Sequence, residues 1–285
     1  MSLNSVGIVG QGFVGGAIRE GLSGFYNLRT FDINRALCNC MSLREVVETC
    51  RIIFVCLPTP MRPDGSCDIR IVEDVVEEIN DLCRETKLKD RIVILKSTVP
   101  PGTTSSLNEE HDDVTVVFSP EFLTEANSVD DFKNQTRIIV GGPRPASSLV
   151  KTLFRKAFPA VPIIKTSSDH AEMVKYFINC FLSSKVSFSN EMYQLCTRLG
   201  LDYDKVVEYA LYDKRLGPTH FSVPGPDGSF GFGGHCFPKD LNAMITVFAE
   251  RGLKSTVLQA VKEKNDEVRD DRDWEKMRGR AVSDD

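Results

Sequence analysis

The chain has 285 residues, of which 41% are hydrophobic and 26% charged, with a formal net charge of −5. That length and balance describe two folded domains, or one domain with an appendage, and exclude a disordered or low-complexity chain. The negative charge excludes a general attraction to nucleic acid or an anionic membrane, and no apolar run approaches the roughly 20 residues a membrane helix needs.

The N-terminal Met1-Ser2-Leu3-Asn4-Ser5 has no basic stretch and no long apolar segment, so no signal peptide is expected. Val6 to Gly10 predicts a buried strand, followed by a glycine-punctuated turn and a helix to about Ser23. Leu28 to Ile33 is the next strand, Leu43 to Thr49 a short helix, and Ile52 to Leu57 another buried strand. Ile69 to Glu85 repeats apolar positions at helical spacing, and Arg91–Leu95, Val114–Phe118 and Arg137–Gly141 read as further strands. Strands alternating with helical segments predict a parallel sheet covered on both faces. From Ser168 to about Leu199 there is no proline or interior glycine, and the pattern predicts one long helix. Phe177, Phe181 and Phe188 along it suggest a helix that is substantially buried. Asp204–Leu211 continues as helix, Leu216–Gly234 is a glycine- and proline-rich loop, and Lys239–Arg251 and Thr256–Val268 are helical. The charged stretch from Lys262 ends in Ser283-Asp284-Asp285, and its end is expected to fray. The boundary between a sheet domain, 1–166, and a helical domain, 167–285, falls near Thr166.

Nine cysteines are scattered along the chain. None has zinc-ligand or C-x-x-C spacing, so no metal centre is expected. They read as the reduced thiols of a cytoplasmic protein, most of them small buried side chains.

Gly10-Gln11-Gly12-Phe13-Val14-Gly15 fits G-x-G-x-x-G between a strand and a helix. Gly10 permits the tight turn, Gly12 admits a pyrophosphate to the backbone, and Gly15 packs helix on strand. The helix N-terminus offers N–H groups and a positive dipole end to phosphates. Asp32 ends the second strand, where a carboxylate accepts hydrogen bonds from ribose hydroxyls and repels a 2′-phosphate, which favours NAD over NADP. Arg35 is the counter-signal, since a nearby arginine can accommodate that phosphate.

Three further segments carry chemistry. Gly231-Phe232-Gly233-Gly234-His235 delivers Cys236 to the start of a helix, beside Lys239; dipole and lysine both favour the nucleophilic thiolate. Glu172, Lys175 and Asn179, three and four residues apart, share a face of the long helix. Lysine and asparagine there can stabilise an oxyanion, or form a salt-bridged exposed face. Glu121 and Glu125 follow a strand, where α/β enzymes place ligand sites; they read equally as base and substrate contact or as helix N-terminal charge.

In order along the chain, these segments resemble the UDP-glucose/GDP-mannose dehydrogenase family, on its UDP-glucose 6-dehydrogenase side. The resemblance runs from Val6 to about Asn265 and adds Val55-Cys56-Leu57-Pro58-Thr59-Pro60, Lys96-Ser97-Thr98-Val99-Pro100-Pro101-Gly102-Thr103 and Asn190-Glu191 to the motifs above. It implies a Rossmann-like, doubly wound parallel sheet followed by a mostly helical domain built on one long helix. It also implies oxidation of a hexose C6 alcohol to the acid with two NAD, through a thiohemiacetal and a thioester on Cys236. Lys175 and Asn179 would stabilise oxyanions, Asp240 would position water or share protons with Lys175, and Thr98 and Glu125, with Glu121 nearby, would hold and activate water. The cofactor is assigned to Gly10, Gly12, Phe13, Val14, Gly15, Asp32, Arg35, Pro58, Thr59, Thr98 and Lys239. The nucleotide sugar is assigned to Phe122, Leu123, Glu125, Lys175, Asn179, Arg215, Phe221, Ser222 and Gly233, with Arg215 resembling an arginine that often acts from a neighbouring subunit. A homodimer through the long helix is likewise implied.

The chain departs from the family's pattern in three places. Pro224–Gly228 resembles a local insertion, His235 stands where a small or aromatic residue is usual, and the second α/β domain of full-length members has no counterpart here. Two other readings follow: a β-hydroxyacid-type dehydrogenase that stops after one hydride, and a non-catalytic NAD-binding module that assembles with a complete relative.

Overall fold

The computed structural model describes residues 4–284. The first half alternates strand and helix: β1 (Ser5–Val9), α1 (Phe13–Leu22), β2 (Asn27–Phe31), α2 (Leu43–Thr49), β3 (Ile52–Val55), α3 (Arg70–Thr86), β4 (Arg91–Leu95), α4 (Thr103–Glu110), β5 (Val114–Phe118), α5 (Ser128–Lys133), β6 (Ile138–Gly141), α6 (Ala146–Ala157) and β7 (Ile163–Thr166). Every residue of β3 and β4 is buried, as continuous apolar runs require when both faces of a strand are covered. In α3, Val72, Val76, Ile79 and Cys83 recur at three and four and turn inward.

The strands form one sheet in the order β2-β1-β3-β4-β5-β6-β7. One core, with Val46, Val76, Ile79 and Leu107, covers one face; another, with Ile18, Leu22, Val150 and Phe154, covers the other. This is the expected Rossmann-like, doubly wound architecture. The order reverses between β1 and β3, and that switch point is where such sheets open a crevice. The sheet is not parallel throughout, because β6 meets β5 in a single antiparallel pair, Phe118↔Gly141. The chain leaves β5 through residues 119–137 and returns from beyond its C-terminal end, so no crossover is needed. The second strand is also shorter than its apolar run: Ile33 is 99% exposed, because Asp32 accepts Asn34 N–H at 2.7 Å and turns the chain away.

The second half is helical: α7 (Ser168–Leu199), α8 (Tyr203–Ala210), α9 (Cys236–Glu250) and α10 (Thr256–Val268). The last helix but one starts at Cys236, three residues earlier than its apolar pattern suggested. Two compact units result: one holds the chain up to Thr59 with Ile69–Lys175, the other Pro60–Asp68 and the chain from Tyr176 on. The division between these units falls inside α7, after Lys175.

Two expectations are corrected. The phenylalanines of α7 do not mark a buried helix: Phe177, Phe181 and Phe188 are 68%, 57% and 60% exposed, while the polar side of the helix is buried. The C-terminal stretch does not fray over the described residues. Trp274 and Ala281 are buried, and Met61 exchanges backbone hydrogen bonds with Ala281 and Ser283 at 2.8 Å each. Among the described residues, no helix is long and apolar enough to cross a membrane.

Candidate active site

The sheet unit presents its glycine turn at the switch point. Gly10 has φ +86°, and a Cβ on it would lie 2.2 Å from the Cys56 carbonyl; one on Gly15 would lie 1.9 Å from the Gly10 carbonyl. Both close approaches therefore require glycine. Gly12 caps α1 without a side chain, and a Cβ there would meet nothing within 4 Å. That leaves an open helix N-terminus of the kind that takes a phosphate. Phe13 and Val14 form its first turn. Asp32, directly after β2, accepts Gln11 N–H at 2.6 Å and Asn34 N–H at 2.7 Å. Two of a carboxylate's roughly four acceptor sites remain for ribose hydroxyls, so the residues fit a dinucleotide. Arg35 is exposed; it donates to the Met41 carbonyl at 2.7 Å and lies 5.3 Å from the Phe31 ring centre. Thr59 Oγ1 donates to the Thr98 carbonyl at 2.7 Å, tying the loop after β3 to the loop after β4, and Pro58 is exposed beside it.

The carboxylate segment is not the start of a helix. Glu121 lies in an extended loop seven residues before α5, which removes helix-terminal charge as its explanation. It is buried, and Lys175 Nζ donates to its Oε1 at 2.8 Å and to its backbone carbonyl at 2.9 Å. Burial works to raise Glu121, but the Lys175 ammonium and the Leu123 N–H outweigh it and hold the carboxyl below its ordinary range. Leu123 donates that N–H at 2.7 Å, and the Phe122 ring centre lies 5.8 Å from Lys175 Nζ. Glu125 is exposed on the same loop.

Lys96 was not singled out by sequence as a site residue. It is buried, and its Nζ donates to the Pro120 carbonyl at 3.1 Å. Two lysines thus hold consecutive carbonyls of the Pro120-Glu121 segment. Burial is the largest influence on Lys96 and lowers it to about 8, against the opposing pull of Glu121. Glu172, the third member of the helical face, has another task. It accepts Gly102 N–H at 2.7 Å and Thr104 N–H at 2.8 Å and so caps α4, with burial raising its carboxyl above the usual range.

The helical unit holds the thiol. Cys236 is the first residue of α9 and half-buried. Within the same turn Asp240 is only 1% exposed. Asn179 Nδ2 donates to its Oδ2 and Lys239 Nζ to its Oδ1, each at 2.5 Å. Burial would lower Lys239, but Asp240, with Cys67 and Cys236 beside it, holds the lysine above its ordinary value and charged. The nine cysteines are thiols; burial pushes Cys56 and Cys180 up to about 12 and Cys83 up to about 11, as inert core thiols require.

The residues of this unit that the sequence assigns to a nucleotide sugar are more dispersed. Arg215 is exposed and paired with Asp213, Nε to Oδ1 at 2.9 Å. The Phe221 carbonyl accepts Tyr203 Oη–H at 2.8 Å, and its ring centre lies 4.2 Å from Lys185 Nζ. Ser222 is exposed. A Cβ on Gly233 would come within 2.3 Å of both Arg269 and Asp273. Neither residue was expected from sequence, since a charged tail gives no pattern that points to a loop 40 residues earlier.

Comparison with known proteins gives the same outline. The sequence pattern of the UDP-glucose/GDP-mannose dehydrogenase family, NAD binding domain, matches residues 27–158, downstream of the glycine turn. The central domain of that family matches residues 169–267. A UDP-glucose 6-dehydrogenase of Pseudomonas aeruginosa is 35% identical over 238 residues, covering 79% of this chain and 50% of that protein. A UDP-glucose dehydrogenase from the hyperthermophilic archaeon Pyrobaculum islandicum superposes with a TM-score of 0.83 at 30% identity, over 93% of this chain and 68% of that one. A 3-hydroxyisobutyrate dehydrogenase of Mycobacterium tuberculosis, at TM-score 0.71 and 17% identity over 92% of each chain, shares the fold. The chain spans about half the length of the curated relatives it matches.

Proposed function

Because this chain belongs to the UDP-glucose/GDP-mannose dehydrogenase family, through both its NAD-binding and its central domain, we propose that it oxidises the C6 alcohol of a nucleotide sugar of the UDP-glucose type to the uronic acid. The observation that carries this reading is the buried Asn179–Asp240–Lys239 array in the turn that opens with Cys236. A dehydrogenase that stops after one hydride passes through no thioester and needs no thiol nucleophile.

NAD, when bound, supplies a hydride acceptor for each of two oxidations. Gly10, Gly12, Phe13, Val14 and Gly15 would hold its pyrophosphate at the start of α1, and Asp32 its ribose, with Arg35, Pro58, Thr59, Thr98 and Lys239 completing that side. The Cys236 sulfur adds to the aldehyde carbon left by the first oxidation and gives a thiohemiacetal. Loss of a second hydride yields a thioester, and water releases the acid and restores the thiol. Asn179 spends one amide hydrogen on Asp240 and has a second to donate to an oxyanion. Lys175, held by Glu121, supplies positive charge for the same purpose. Thr98, Glu121 and Glu125 would serve the water, and Phe122, Leu123, Arg215, Phe221, Ser222 and Gly233 the nucleotide sugar. We assign 1–166 to cofactor binding and 167–285 to the catalytic cysteine and to a homodimer through α7, in the cytoplasm.

A one-hydride dehydrogenase of the β-hydroxyacid type is the competing reading, favoured only by the shared fold. Incubation with NAD and a panel of UDP- and GDP-sugars separates the two. We expect about two NADH per sugar and a uronic acid product, and no acid from Cys236→Ala. One NADH per substrate, or undiminished acid from the variant, refutes the thiol mechanism.

A further inference from the structure

The glycine-rich stretch before Cys236 is tied at successive backbone groups. Asn190 Oδ1 accepts Gly231 N–H at 3.1 Å. Asn265 accepts Phe232 N–H at 2.7 Å and donates to the Phe232 carbonyl at 3.0 Å. Asp273 accepts Gly234 N–H, with its two oxygens at 3.2 and 3.0 Å. The first two residues lie within the stretch that matches the family's central domain, which ends at 267; Asp273 lies beyond it.

Asp273 is itself held. The Arg269 side chain is 3% exposed; its Nη1 is 2.7 Å from Asp227 Oδ2 and its Nη2 3.1 Å from Asp273 Oδ1. Its Nε donates to the Asp271 carbonyl at 2.8 Å. A Cβ on Gly233 would sit 2.2 Å from Arg269 Nη2 and 2.3 Å from Asp273 Oδ1, so the ion pair lies directly against the Gly233 backbone. Asp227 belongs to the turn at 224–228. That turn and the C-terminal segment therefore close on the loop as one ionic bracket, anchored by buried Trp274. Glycine backbone is otherwise the freest to move, and a thiol displaced by about 1 Å from its reacting carbon can lose roughly 100-fold in rate.

We propose that Asp273 and Arg269 are positioning residues for Cys236: the C-terminal segment is a clamp that fixes the loop delivering the thiol. For turnover this rests on the reading of Cys236 as nucleophile; for thiol reactivity it does not.

The test is the rate of Cys236 alkylation by iodoacetamide near neutral pH, followed by peptide mass spectrometry on the full chain. Asp273→Ala should slow it about tenfold, because the thiol leaves the helix start and the Lys239 charge. Asp273→Asn keeps an acceptor for Gly234 but loses the ion pair, and should slow it about threefold. Glu275→Gln, which alters a surface pair with Arg272, should match the parent. In an active enzyme kcat should fall with the alkylation rate while KM for NAD holds. If Asp273→Ala does not fold, Asp273→Asn decides. Unchanged alkylation in a folded Asp273 variant, or unchanged kcat where turnover exists, overturns the clamp. A parent chain that produces no NADH defeats the functional reading alone, and the alkylation rates still judge the clamp.

Discussion

Lys96 and Lys175 reach the same short loop, yet only Lys175 stood out in the sequence, because it has a helical partner four residues away. Lys96 follows a strand whose five residues are all buried, and nothing in a strand pattern says that the next ammonium is buried too. Its charge is costly there, and the sign of that cost is testable. Its folded value is about 8 against an ordinary 10.5. Between those values the unfolded chain keeps the proton and the folded chain does not, so stability rises with pH across the window. Relative to Lys96→Met, the parent should gain about 2 kcal/mol between pH 7.5 and 9.5. Urea denaturation at the two pH values measures this; parallel changes in both proteins would show that Lys96 does not titrate there. Glu172 teaches the complementary lesson. It shares the spacing of Lys175 and Asn179, but two backbone N–H groups at the start of α4, those of Gly102 and Thr104, claim it. Spacing identifies a face, whereas a role depends on what that face meets.

The long helix was predictable in extent, since an unbroken run without proline or interior glycine has little alternative. Its orientation was not. Met173, Phe177, Phe181, Phe188, Leu195 and Leu199 fall on one stripe, and all are exposed; Glu172, Asn179, Ser183, Ser187 and Asn190 lie on the opposite, buried side. A helix with its apolar stripe outward and its polar side buried has the pattern of an interaction surface. If that surface is a second copy of α7, Phe181→Glu should convert a dimer to a monomer and leave the circular dichroism of the monomer intact. Sedimentation equilibrium at micromolar concentration decides, and a parent chain that is already monomeric there removes the homodimer.

Across the chain, the C-terminal segment departs most from its sequence. Its charge density suggested fraying, but Arg269 is buried among carboxylates and the only tryptophan, Trp274, is 6% exposed. Trp274 is therefore a natural probe. Its emission should be blue-shifted in the native protein and quenched by acrylamide roughly tenfold less than in urea. Quenching equal to that of the unfolded chain would mean that the segment does not pack.

Strand runs, the glycine turn, the acidic end of β2 and the cysteine at a helix start were all determined by the sequence itself. Each depends on backbone sterics, apolar periodicity or a charge at a helix terminus, which act between residues close in the chain. The antiparallel entry of β6, the outward phenylalanines, the burial of Lys96 and the Arg269–Asp273 bracket were decided only in the folded structure. β6 with β5, Lys96 with Pro120, and Arg269 and Asp273 with Asp227 and Gly234 are each far apart in sequence, and the side of the long helix that is buried is set by such distant contacts too. The cost of burying a polar group there depends on a partner that local order does not reveal.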